Sequence, residues 1–108
     1  MESILTSIKK LLGMTEEYVE FDSDIIAHIN GVFVILADMG VGPAGGFSIT
    51  DSFSTWKEYL PDDPRVELVK TYIHAKVKLA FDPPLSSAHI EALKEQIKEY
   101  EWRLANPV

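Results

Sequence analysis

Apolar residues recur every three or four positions in four separate stretches of this chain, and each recurrence predicts a helix. Ile4, Leu5, Ile8, Leu11 and Leu12 give a short amphipathic helix, with Gly13 placed to stop it as a C-terminal cap. Ile25, Ile26, Ile29, Val32, Phe33 and Leu36 give a second helix, which Asp22 or Ser23 can cap and Gly40 ends. The third runs from Arg65 to about Phe81, with Asp63 as cap and Pro64 at its first position. Its broad stripe, Val66, Val69, Tyr72, Ile73, Lys76, Val77, Ala80 and Phe81, makes it the central core helix. Asp82-Pro83-Pro84-Leu85 breaks it, Ser86 or Ser87 caps the fourth, and Ile90, Leu93, Ile97, Tyr100 or Glu101, and Leu104 form the last stripe, over His89 to Ala105. The polar side of that helix carries Glu91 with Lys94 and Glu99 with Arg103 at helical spacing.

Between the second and third helices the periodicity stops. The stretch GVGPAGGF spells Gly40-x-Gly42-x-x-Gly45, the letters of a dinucleotide-binding turn. Such a turn needs a strand before it and a helix after it; here a helix precedes, Pro43 interrupts and no helix begins at Gly45. The glycines are therefore expected to serve a reversal, followed by a short extended piece, Phe47-Ser48-Ile49-Thr50, with room for a small β-hairpin. Ser54 is placed to cap one helical turn over Thr55 to Leu60. The expected fold class is all-α: a small bundle of four main helices in one domain over residues 1–108, with a long loop between the second and third.

Length and composition agree with this and narrow the function. With 108 residues, 46% of them hydrophobic and 25% charged, the chain supports one core and lies outside the composition of disordered proteins. No apolar run approaches a membrane span, and the N-terminus lacks the order of a secretory signal, so a cytosolic setting is expected. With no cysteine, disulfides, thiolate zinc sites and thiol nucleophiles are excluded. The net charge is −7, and between Leu11 and Trp56 there is no Lys or Arg beside Glu16, Glu17, Glu20, Asp22, Asp24, Asp38 and Asp51. Phosphate binding needs clustered cations, so nucleic acid and anionic membranes are poor partners; basic proteins are better ones.

Catalytic and metal signatures are weak. Asp24 and His28 share a helical face, but His74 and His89 lie on other helices and no HExxH pattern occurs. No nucleophile elbow is present, and the carboxylates are spread over loops and helix surfaces. No enzyme, metal or cofactor is expected. The aromatic residues say more. Tyr100 and Trp102 are two apart and cannot share one helical face, so one of them leaves the core stripe. Phe47, Phe53, Trp56 and Tyr59 crowd the irregular segment. Exposed aromatic residues beside an arginine such as Arg103 are typical interface anchors.

The stretches FDSDIIAHINGVFVILADMGVGP, VELVKTYIHAKVKLAFDPP and LKEQIKEYEWRL, in this order, resemble the tailed-phage head-tail connector (adaptor) proteins of phages and prophages of Gram-positive bacteria. The resemblance implies a mainly helical structural protein that assembles in the host cytoplasm, as a ring of about twelve copies under the portal protein, and resides at the virion head-tail junction. It implies a DNA channel extended toward a stopper or tail-completion protein, with duplex DNA passing through without specific binding. Because the last helix of such proteins commonly meets the portal and loops meet neighbours, Tyr100, Trp102, Arg103 and Leu104 are the candidate portal contacts. Phe47, Ile49, Phe53 and Trp56 are the candidate subunit contacts. Apart from the resemblance, the acidic stretch 16–24 also suits a small regulatory module that binds a basic protein.

Overall fold

The computed structural model describes residues 2–106 and, among these, five helices: α1 (Ile4–Leu11), α2 (Asp22–Asp38), α3 (Trp56–Tyr59), α4 (Val66–Phe81) and α5 (Ser87–Ala105). The all-α expectation holds. α4 is the hub, packing against α1, α2 and α5, and the molecule measures 35 × 31 × 20 Å, about two helices thick. Val69, Tyr72, Ile73, Ala75 and Val77 of α4 are buried together with Ile25, Ile29, Val32, Phe33 and Leu36 of α2. α5 closes the other side through Ile97 and Leu104, with Leu93 and Tyr100 at the margin; the Tyr72 hydroxyl donates to Glu101 at 2.8 Å. Tyr100 and Glu101 thus both turn inward, and Trp102 is the aromatic residue that leaves the stripe.

Local chemistry explains the helix starts and corrects several expectations. Ser86 caps α5 by accepting from the His89 amide. α3 is capped by Thr55 rather than Ser54, because Glu58 three residues on completes a capping box with Thr55. α2 has no side-chain cap; Asp22 stands inside the first turn, where the helix dipole favours a carboxylate. α4 starts at Val66, since Asp63 spends its carboxylate on the Arg65 amide and guanidinium.

α1 departs most from its pattern. It buries Thr6, Ser7 and Lys9 along with Ile4, Leu5 and Ile8, whereas Leu11 is exposed. The reason is that α1 is enclosed on several sides. α2 and α4 flank it, the Ile4 amide donates to Ser54 O at 2.9 Å, and Trp56 Nε1 donates to Ser7 Oγ at 2.9 Å. Lys9 spans the interior to Asp22 Oδ1, 2.9 Å away, and donates to the Glu16 carbonyl at 3.1 Å. The contact with Asp22 is close but not aligned as a hydrogen bond, so its attraction is mainly Coulombic.

No β-hairpin forms in the 40–55 loop; the described residues contain no strand, only an isolated bridge between Ser3 and Thr55. The extended piece finds its partner in a side chain instead. Asn30 of α2 accepts from the Ile49 amide at 2.8 Å and donates to the Ile49 carbonyl at 2.9 Å, replacing a neighbouring strand. Ile49 and Val41 then enter the core, and Phe47 packs with Phe33 and Tyr59, ring centroids 5.3 and 4.9 Å apart. Gly42 has φ +96°, and a Cβ there would stand 2.6 Å from the Tyr59 ring. The motif glycine serves close approach to an aromatic ring, not to a phosphate. Burial pushes the Tyr59 phenol up to about 12, so this ring stays neutral beneath the loop.

Candidate functional site

Where α5 ends, it runs beside the Pro61–Arg65 corner that joins α3 to α4. A groove of about 750 Å³ opens there, lined by Pro61, Arg65, Leu68, Trp102, Arg103 and Asn106 among others. The corner turns tightly at Asp62, with φ 54°, and is locked by Arg65, whose guanidinium meets both Asp63 carboxylate oxygens at 3.1 and 2.9 Å. Hydrogen bonding to Arg65 holds the Asp63 carboxyl below the usual range, and the same contacts hold the guanidinium charged. On the α5 side, Trp102 is 66% exposed, Arg103 is tied to Glu99 at 3.4 Å, and Asn106 Nδ2 caps the Trp102 carbonyl at 2.9 Å. The result is an exposed aromatic ring and a guanidinium beside a fixed, proline-walled corner. An arrangement of this kind suits protein docking rather than catalysis, since it presents no nucleophile beside a base.

The C-terminal candidates divide accordingly. Trp102 and Arg103 meet at this groove, Tyr100 packs at the core margin, and Leu104, 1% exposed, lies inside. Leu104 therefore cannot meet a partner without opening the bundle. The loop candidates divide as well. Phe53 is 80% exposed, with its amide fixed by Asp51 Oδ1 at 2.9 Å. Ile49 and Trp56 are core residues, and Phe47 is largely consumed by Phe33 and Tyr59, so these three hold the loop down instead of presenting it. Trp56 additionally lies under Lys70, whose Nζ is 5.5 Å from the ring centroid. Crowding of aromatic residues in the sequence marked a folded loop, with Phe53 as its exposed member.

His28 lies at the edge of the Phe81 ring and Asp24 faces solvent; among the described residues no three His, Cys, Asp or Glu side chains converge on a metal position. No helix among them is long and apolar enough to cross a membrane. One exposed apolar strip escaped the periodicity argument altogether: Tyr18, Val19 and Phe21. Its signal was the YVEF inside TEEYVEFDSD, which the density of acids masked.

No curated protein and no solved structure matches the chain. A family model described as "Phage connector protein" matches residues 4–107, nearly the whole length, from α1 through α5. The chain belongs to the phage connector protein family.

Proposed function

We propose that the chain, a structural phage connector, acts as one subunit of a ring of about twelve copies under the portal, extending the DNA channel toward a stopper or tail-completion protein. The observation that carries this reading is the family match over residues 4–107. The charge distribution supports it. Lys10, Arg65, Lys70, Lys78, Lys94, Lys98 and Arg103 each stand within ion-pair distance of a carboxylate of this chain, and the net charge is −7. A surface of that kind does not grip phosphates, so duplex can slide past it. Assembly takes place in the host cytoplasm, and the finished ring lies at the head-tail junction.

On this reading Trp102 and Arg103 face the portal and Phe53 faces a neighbouring subunit. Electron microscopy of the protein mixed with its cognate portal is the test. A ring stacked coaxially on the portal is expected; a subunit that stays monomeric and leaves the portal bare refutes the reading. Trp102→Ala combined with Arg103→Ala should weaken portal binding about tenfold or more, because anchors of this type dominate interfaces. Undiminished binding would remove the groove from the portal contact.

A further inference from the structure

We propose that the strip formed by Tyr18, Val19 and Phe21 is a second docking surface, and that its occupant is a basic, aliphatic segment of a different protein chain. The strip lies on the loop between α1 and α2. Tyr18 meets Phe21 edge-on at 5.8 Å and Phe21 meets Phe81 at 5.5 Å, a ladder that ties the loop to the C-terminal end of α4. Packing from behind fixes the strip without covering it: Val19 is 64% exposed and Tyr18 44%. An apolar surface backed in this way and flanked by charged residues has the makeup of a contact surface.

Charge selects the occupant. Glu16, Glu17, Glu20 and Asp24 are all exposed around the strip. Of the two cations that precede them in sequence, Lys9 is buried and engaged by Asp22 and the Glu16 carbonyl, and Lys10, though within the field of Glu16, is paired with Glu2. The rim therefore keeps its negative charge, which attracts Lys or Arg and repels phosphate. A second copy of this chain does not supply the complement. Among the described residues, Lys57 and Lys76 are the two surface cations with no carboxylate within 4.0 Å, and they sit apart on α3 and α4. The strip adjoins Phe81 at one end of α4 and the Trp102 groove adjoins Arg65 at the other, roughly 24 Å away for a helix of this length. One subunit can thus hold two partners at once. Resting on the connector reading, the partner at the strip is the component on the side of the ring away from the portal.

The experiment uses the full chain, isotope-labelled for NMR, titrated with a synthetic amphipathic helix of Leu and Lys and, separately, with its Leu and Glu counterpart. Amide shifts concentrated at residues 15–22 and the end of α4, with the Lys peptide only, are expected. Val19→Ser, an exposed change that leaves the core intact, should weaken binding about fivefold. Glu17→Gln with Glu20→Gln should weaken it similarly and flatten its dependence on salt. Shifts centred on the Trp102 groove, or a Val19→Ser chain that binds like the parent, would overturn the proposal. So would self-association of the free chain in sedimentation that Val19→Ser abolishes, since the occupant would then be a second copy. No portal is present in these titrations, so the two readings fail separately. A peptide-binding strip on a chain that forms no portal ring sinks the connector reading alone, and a portal-bound ring whose strip ignores the peptide sinks this one alone.

Discussion

Replacing Lys9 by Met and Asp22 by Asn, singly and together, should give unequal losses of stability, with the acid the more costly to remove. The Lys9 side chain is 3% exposed and that of Asp22 24%. Without Asp22, the ammonium remains enclosed with the Glu16 carbonyl as its remaining partner, 3.1 Å away, and a stranded buried charge costs about 3–4 kcal/mol. Without Lys9, the carboxylate still reaches water and still sits in the first turn of α2, so the loss is about 2 kcal/mol; Met fills much of the vacated stem volume. The double variant should recover part of the sum, with a coupling of about 1–2 kcal/mol between the sites. Urea unfolding followed by Trp fluorescence and circular dichroism measures all three against a total stability of about 5–15 kcal/mol for a domain of this kind. Added salt should change the ranking little, because the pair is shielded from counterions. A Lys9→Met loss equal to or larger than that of Asp22→Asn, or a loss below about 0.5 kcal/mol for both, would refute the reasoning.

Gly42→Ala should cost about 2–4 kcal/mol, combining a left-handed backbone with a Cβ 2.6 Å from a buried ring, whereas Gly45→Ala, which meets nothing within 4 Å, should change thermal unfolding by less than about 0.5 kcal/mol. Asn30→Ala removes both bonds to Ile49 and should cost about 2 kcal/mol, with hydrogen exchange accelerating first at the Ile49 amide. Burial, and secondarily the charge of Lys78, lowers the His74 pKa, against a hydrogen bond with the Leu11 backbone; its Nε2 is enclosed without a partner. The unfolded chain therefore binds this proton more readily than the folded one. Its contribution is intact above the unfolded value of 6.5 and is lost as pH falls below that value toward the lowered folded one. His74→Gln should flatten the stability curve as pH falls below about 6.5, and an unchanged slope there would assign the acid sensitivity elsewhere.

Periodicity alone located the four main helices and α4 as their hub, because a stripe repeating at helical spacing has one way to be buried, against other stripes. Breaks at Gly40 and at Pro83-Pro84 were equally legible, since those residues act on the backbone they belong to. The departure of either Tyr100 or Trp102 from the α5 face was a necessity of spacing, and the side that left was Trp102. What only the tertiary structure decided concerns groups whose partners are distant in the chain. Ser7 is buried because Trp56 reaches it from the loop, Lys9 because Asp22 and Glu16 arrive from the next segment, and Ile49 because Asn30 stands in for a strand. Packing between segments likewise removed Ile49, Trp56 and Leu104 from the surface and left Phe53, Val19 and Trp102 on it. Local pattern reports whether a residue prefers water; which neighbour shields it from water is set by packing between segments, and that is written in no single stretch of the sequence.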